Sequence, residues 1–467
     1  MARKHRHQVF EQVTIGPMAE AGRCIARVDN LVLFVAQVAP DDVVDLQVIG
    51  TKKGVAHAVP TRLYQPGPNR VVPFCDHFGT CGGCQWQHVN YATQLQAKEQ
   101  LVKEKLARIG QFLDPPVAPI VGASSTTYYR NKLEFTFSNQ RWLAADEIQT
   151  GQPLDRRAVG FHRPGHFDKI IDVQRCYLQE APSNALRNSL NQFAKDQGLS
   201  FYNLRTHQGL LRNLIVRTTA TGDVMGIVQF GQQAPALIEK VMHHLHTQFP
   251  AITSLQYVVN TKKNETFYDL PVQLYKGQPF VTEALGVLQF RIGPKSFFQT
   301  NTAQALVLYQ KIQDLAALQR HEVLYDLYTG VGSIALFLAL HVRQVIGIDT
   351  VASAIEDARI NAQLNQVPNA TFVAGAVEYL LDASFMATHG RPDVVILDPP
   401  RAGLHPQVIR SLLSMAPARI VYVSCNPATQ ARDMALLRPQ YQLVKAQPVD
   451  LFPHTSHVEN IALLVHD

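Results

Sequence analysis

Hydrophobic and polar positions change rhythm twice along the 467 residues. From residue 8 to about 64, short apolar-rich runs at 9–15, 24–28, 31–35, 43–49 and 54–59 are separated by Gly, Pro, Asn and Asp. That spacing predicts five short strands, and a small barrel is a natural closed form for them. Gln65-Pro66-Gly67-Pro68-Asn69 then breaks the pattern and predicts a boundary. The block that follows mixes helical periods (91–109, 234–249) with strand-like runs (133–138, 214–218, 224–229, 254–260), as an α+β unit does. Past residue 286 the rhythm becomes regular. Strand-like runs at 323–328, 344–348, 371–373, 394–397 and 420–424 each lead into a loop and a helical stretch, the signature of a doubly wound parallel sheet. The expectation is a multidomain α/β chain: a β-barrel over 8–66, an α+β domain over 67–286 and a Rossmann-like domain over 287–467.

Composition narrows the class. An apolar fraction of 46% with 17% charge excludes a disordered chain. The longest apolar runs, such as 334–340, are far shorter than the ~20 residues of a membrane span, and residues 1–8 lead into no apolar signal region. A cytoplasmic protein with no membrane association and no obligate protein partner is expected. The net charge, 43 minus 37 or +6, is compatible with a polyanionic partner without requiring one. The basic arm Arg3-Lys4-His5-Arg6-His7 reads as a solvated tail. Of the six cysteines, Cys75, Cys81 and Cys84 crowd into ten residues, which favours a metal or cluster site over disulfides. With Cys176 they supply four soft thiolates, suited equally to zinc or to an iron–sulfur centre.

In a parallel sheet the chemistry gathers at the carboxyl ends of the strands. The first ends in Asp326-Leu327-Tyr328-Thr329-Gly330-Val331-Gly332, whose glycines let the backbone turn tightly beside a ligand. The second ends at Asp349, placed to accept hydrogen bonds from a ribose diol, so a nucleoside cofactor is expected. Ala335 occupies the third position of a G-x-G-x-x-G/A fingerprint, which leaves both a dinucleotide and S-adenosylmethionine open. The fourth ends in Asp398-Pro399-Pro400-Arg401, a loop similar to that of methyltransferases acting on nucleic-acid bases. Arg401 stands where an amino-group methyltransferase usually carries an aromatic residue.

The fifth strand ends in Ser424-Cys425-Asn426-Pro427, placing a thiol at the cleft mouth as a candidate nucleophile. Carbon 5 of a pyrimidine becomes nucleophilic once a thiolate adds to carbon 6, and the carbon 5 proton must later leave. Glu459 and His457, just before the last strand, are candidate bases.

Taken together, Ser296-Phe297-Phe298-Gln299-Thr300-Asn301, the loop 326–332, Asp398 to Gly403, Ser424 to Pro427 and His454-Thr455-Ser456-His457-Val458-Glu459 resemble the successive motifs of the RNA (uracil-5-)-methyltransferases. The resemblance implies S-adenosylmethionine as cofactor, Cys425 as nucleophile and Glu459 as base. It implies cofactor contacts at Gln299, Tyr328, Asp349 and Asp398, beside Gly330 of the glycine turn. The chain departs from the family pattern at Asp349, where Glu is frequent, and at Ser333, where Asn is. Within the family, the subfamily acting on large-subunit (23S) ribosomal RNA is similar in its cysteine pattern, which implies a [4Fe–4S] cluster on Cys75, Cys81, Cys84 and Cys176. The N-terminal barrel then resembles a TRAM domain. Arg130, Lys132, Arg212 and Arg217 are further candidates to touch RNA. Two rivals differ in kind. A cytosine-5 methyltransferase usually carries a Cys after Pro in the fourth-strand loop, which is absent here, and a non-catalytic RNA-binding protein has no use for both Cys425 and Glu459.

Overall fold

The computed structural model describes residues 8–52 and 55–467. The basic arm 3–7 and Gly54 lie outside them. Strands β1 (Val9–Thr14), β2 (Arg23–Val28), β3 (Leu31–Ala36), β4 (Val43–Lys52) and β5 (Val55–Gln65) form one sheet in the order β1-β4-β5-β3-β2. Asp29 and Asn30 both take positive φ between β2 and β3, the geometry of a two-residue hairpin turn that Asp and Asn tolerate. The chain beyond β1 reaches across to β2, with Gly16 N–H donating to Ile25 O (2.8 Å) and Ile25 N–H to Pro17 O (3.0 Å). Alternate residues such as Leu33, Val35, Leu46 and Val48 are fully buried, so one face of the sheet makes its core.

A second sheet comprises β6 (Lys132–Ser138), β7 (Ala158–Arg163), β8 (His166–Asp172), β9 (Leu211–Thr218), β10 (Val224–Phe230), β11 (Ser254–Val259) and β12 (Gln273–Gly277). Its order is β12-β11-β10-β9-β6-β7-β8. The helices Ser183–Asp196 and Pro235–Gln248 bury Leu186, Leu190, Val241 and Leu245 against Phe135, Leu214 and Val228 on one face. The hairpin β13 (Val281–Leu285) and β14 (Leu288–Ile292) follows.

The third sheet holds β15 (Val323–Leu327), β16 (Gln344–Asp349), β17 (Ala370–Ala374), β18 (Val394–Leu397), β19 (Arg419–Ser424), β20 (Tyr441–Val449) and β21 (Glu459–His466), ordered β17-β16-β15-β18-β19-β21-β20. The first five are parallel, and β21 runs antiparallel to both of its neighbours, β19 and β20. Alternating residues feed two cores. Leu324, Val345, Ile396 and Val421 meet the helices Thr302–Ala316 and Ala352–Leu364, while Tyr325, Ile346, Val395 and Tyr422 meet Pro406–Met415 and Pro427–Leu437. Strand order reverses between β15 and β18, so the cleft opens above their carboxyl ends.

The early helix Tyr91–Arg108 also belongs to this sheet's packing, burying Val102 and Leu106 in the second of those cores. Residues 117–121 continue it along the β20 edge, where Ala118 N–H donates to Ala446 O and Val121 N–H to Pro448 O. Among the described residues no helix is long and apolar enough to cross a membrane.

Candidate active site

The turn after β15 is built on unusual backbone. Tyr328, Gly330 and Gly332 have φ of 69°, 56° and 79°. A non-glycine residue in this region is strained by about 1–3 kcal/mol, a sign of a functional constraint at Tyr328. A Cβ on Gly332 would come within 2.9 Å of the Phe372 ring, whereas one on Gly330 would meet open space. Gly330 therefore borders the cleft. Its N–H donates to Asp349 Oδ2 (2.9 Å), and Val351 N–H donates to Oδ1 (2.8 Å), which fixes the carboxylate at the end of β16.

Beneath the turn, fully buried Asp326 accepts from Thr329 Oγ1 (2.6 Å) and Ala335 N–H (3.1 Å) on one oxygen, while its Oδ1 has no partner among the described residues. Burial pushes its carboxyl up to about 7, and does the same to Asp398 at the end of β18. Gln299 lies just ahead of the helix Thr302–Ala316, its carbonyl held by Asn131 Nδ2 (2.9 Å). From that helix Tyr309 O–H reaches Ser333 Oγ (2.8 Å) beside the glycine turn. A tight turn, a fixed carboxylate on the neighbouring strand and an unpartnered buried oxygen suit a nucleoside cofactor.

Register brings two of the expected site residues together. Ser424 pairs with Asn460 across antiparallel β19 and β21, so the next residues, Cys425 and Glu459, face one another at the strand ends. Cys425 is half-buried, and burial, then the neighbouring Glu459 carboxylate, push its thiol up; Arg401 acts the other way by charge and hydrogen bonding. Glu459 is 5% exposed, and burial followed by the nearby Asp398 raises its carboxyl well above the ordinary range. His457 is driven down to about 4 by burial and then by Arg401. It is neutral at pH 7, and its Nδ1 accepts from Arg401 Nη2 (3.2 Å). Arg401 thus touches both sides of the mouth, and its backbone oxygen is held by Asn426 Nδ2 and Thr429 Oγ1.

The loop that delivers Glu459 is held from far away in sequence. Lys98 and Asp450, both wholly buried, pair at 2.6 Å, and Lys98 Nζ also donates to Phe452 O (3.0 Å). Tyr91 O–H donates to the other Asp450 oxygen (2.9 Å). Gln94 Oε1 accepts from His454 N–H (2.9 Å), and Gln85 and Trp86 N–H both donate to His454 O. No local signal marks Lys98, Gln94 or Gln85, because their partners lie more than 350 positions away.

Cys75, Cys81, Cys84 and Cys176 all line one small cavity, and none of the six cysteines is in a disulfide. Burial pushes Cys81 and Cys84 up to about 12, with the neighbouring thiols adding to the rise. Among the described residues, no group of three or more His, Cys, Asp and Glu is drawn in to metal-ligand geometry. The donor chemistry fits a thiophilic centre, since a cation would relieve the same repulsion.

Two of the expected RNA contacts are interior. Arg212 is wholly buried and spends its guanidinium on the carbonyls of Asn260, Lys262 and Asn264, over the Tyr202 ring at 4.4 Å. Arg217 is 4% exposed. Both are basic residues that backbone carbonyls or burial have claimed for the fold.

Residues 273–467 match the family described as tRNA (uracil-5-)-methyltransferase. An uncharacterised RNA methyltransferase of Bacteroides thetaiotaomicron is 48% identical over 451 residues, covering 96% of this chain and 99% of that protein. One from Chlorobaculum tepidum is 38% identical, covering 98% and 97%. Among solved structures, the Pyrococcus abyssi tRNA (uracil-54, C5)-methyltransferase in complex with S-adenosyl-L-homocysteine superposes with a TM-score of 0.72 at 28% identity, covering 97% of this chain and all of that one. On a parallel sheet whose strand ends carry a thiol opposite a buried carboxylate, these likenesses show that the chain belongs to the RNA (uracil-5-)-methyltransferase family.

Proposed function

We propose that the protein methylates carbon 5 of a uridine in RNA, most specifically in 23S ribosomal RNA, with Cys425 as nucleophile and Glu459 as base. The observation that carries the reading is the facing of Cys425 and Glu459 across the β19–β21 register, with Arg401 beside both. Cys425 Sγ, as thiolate, adds to carbon 6 and makes carbon 5 a nucleophile. Gln299, Tyr328, Gly330, Asp349 and Asp398 would hold S-adenosylmethionine, which would supply the methyl group that carbon 5 takes up, leaving as S-adenosylhomocysteine. The Glu459 carboxylate then takes the proton from carbon 5, and the Cys425–carbon 6 bond breaks to restore the ring. The raised carboxyl of Glu459 makes it the stronger acceptor of the two candidates, since neutral His457 already receives Arg401.

Cys75, Cys81, Cys84 and Cys176 would hold a [4Fe–4S] cluster with a structural role. Residues 8–66 would act as a TRAM-type RNA-binding barrel, 67–286 as the cluster-bearing domain and 287–467 as the catalytic domain of a cytoplasmic enzyme. RNA containing 5-fluorouridine tests the mechanism, because fluorine cannot leave as a proton. The wild type should form an adduct stable to denaturing gels and Cys425→Ala none, while Glu459→Gln should accumulate a methylated adduct on ordinary RNA. Equal trapping by Cys425→Ala would refute the nucleophile. Mass-spectrometric mapping of 5-methyluridine in ribosomal and transfer RNA from a deletion strain decides the substrate.

A further inference from the structure

Gln299, Thr300 and Asn301 lie between β14 and the helix Thr302–Ala316 and belong to neither. Their backbone is fixed by a side chain 168 positions away. Asn131, one position before β6 and 7% exposed, makes three hydrogen bonds to this stretch. Its N–H donates to Thr300 O (2.7 Å), and its Nδ2 donates both to Gln299 O (2.9 Å) and to Thr302 Oγ1 (2.9 Å). A carbonyl oxygen can only accept, so the Asn131 amide must face Gln299 with its nitrogen.

Asn131 is in turn held from the second sheet. Its carbonyl accepts from Thr218 N–H (2.8 Å), at the end of β9, and from Nε2 of wholly buried Gln179 (3.0 Å). On the other side, Thr302 passes its hydroxyl proton to Glu283 Oε2 (2.8 Å) of β13, so its oxygen is left to accept from Asn131. The second Glu283 oxygen accepts from Ala220 N–H (2.8 Å), just beyond β9. Asn301 Nδ2 donates to Leu451 O (3.0 Å), in the loop that leads to Glu459. The stretch 299–302 thereby joins the second sheet to the Glu459 loop, and Asn131 is the side chain on the sheet's side of the joint.

We infer that Asn131 is a positioning residue for the cofactor: by holding the backbone at Gln299 it sets the origin and direction of the Gln299 side chain in the cofactor cleft. The inference rests on the proposed assignment of Gln299 as a cofactor contact, and it adds a residue that lies outside the motif carrying that assignment. A bond to a main-chain carbonyl fixes where a side chain starts, not what its tip touches. Asn131 therefore acts through Gln299 and contacts no cofactor atom itself.

The test measures S-adenosylhomocysteine binding to the full-length protein by titration calorimetry. Asn131→Asp keeps the size of the side chain and puts an oxygen opposite the Gln299 carbonyl. Asn131→Ala removes the donors without adding a charge, and carries the test where the Asp variant does not fold. Each should bind roughly tenfold more weakly, the scale of one net hydrogen bond. Gln299→Ala should bind more weakly as well. The discriminating result is the double variant: once Gln299→Ala is present, Asn131→Ala should cost no further affinity, because both changes act on one path. A residue that served only the fold would weaken binding by the same factor in either background. Scanning calorimetry of each ligand-free variant certifies that it is folded at the titration temperature.

Losses that multiply in the double variant, or wild-type affinity in folded Asn131→Ala, would overturn the positioning role while leaving Gln299 a cofactor contact. Wild-type affinity in Gln299→Ala would remove Gln299 from the cofactor site and the proposal with it. Methyl transfer to RNA by the wild type would still stand in both cases, so failure here is separate from failure of the methylation reading.

Discussion

Arg401 is the residue on which the two sides of the mouth depend. It opposes the effect of burial on Cys425 and occupies the Nδ1 of His457. In the proposed mechanism both Cys425 and Glu459 act deprotonated, and both are raised, so kcat/KM should climb with pH and fall away as pH drops. Arg401→Gln removes the cation, lifts the Cys425 thiol further and should move the rising limb of the pH profile to higher pH; a profile that stays put would detach Arg401 from the thiol. A second consequence concerns stability rather than rate. Asp398 has a folded value of about 7 against an ordinary 3.8, so the folded state prefers its neutral form. That preference stabilises fully below about pH 4 and is lost as pH rises through about 7. Asp398→Asn, neutral at every pH, should therefore melt higher than the ligand-free wild type at pH 8 and show no such advantage at pH 4, as read by scanning calorimetry.

The Tyr91–Arg108 helix carries two unlike faces. Val102 and Leu106 are apolar anchors, while Tyr91, Gln94 and Lys98 are polar clasps on the loop that ends at Glu459. A buried pair broken on one side loses about 3–5 kcal/mol, because the remaining charge has no counterpart. Lys98→Met should accordingly lower the melting temperature by on the order of 10 °C. Adding Asp450→Asn should lose less than the sum of the two single changes, and simple additivity would deny the coupling. Sequence period was enough to find this helix to within a residue, because an 18-residue amphipathic run has caps and a rhythm of its own. Strands β15 to β19 were legible for a similar reason, each being a short apolar run with turn residues behind it. The hairpin β7–β8 was not, since exposed His166 and Phe167 blur its alternation, and β20 was hidden by an edge-strand proline, Pro448.

Across the whole molecule, the groups at the strand ends could be read from motifs, whereas the clasps on the 450–457 loop could not, because they have no local pattern. Arg212 shows the limit in the other direction: it reads as a nucleic-acid ligand until the carbonyls of 260–264 are seen to hold its two terminal nitrogens. The cysteine cavity joins the loop 75–84 to Cys176 on the far side of β8. If it holds a cluster, Cys176→Ser should lose iron and melt earlier while still binding S-adenosylhomocysteine; metal analysis of anaerobic wild-type protein showing zinc and no iron would replace the cluster by an ion. The separation of 360 positions between Gln94 and His454 has a further consequence, in the order of events during synthesis. At about 5–20 residues per second, the helix emerges roughly 20 to 70 seconds before the loop it must grip. Through that interval Lys98 has no counter-charge, and Val102 and Leu106 wait until β15 to β19 are made for a sheet to cover them, which makes this helix a target for chaperones on the nascent chain. However early the first two sheets fold, the proposed pair of Cys425 and Glu459 can meet only once Glu459 has been made, and no product truncated before it can carry the proposed chemistry.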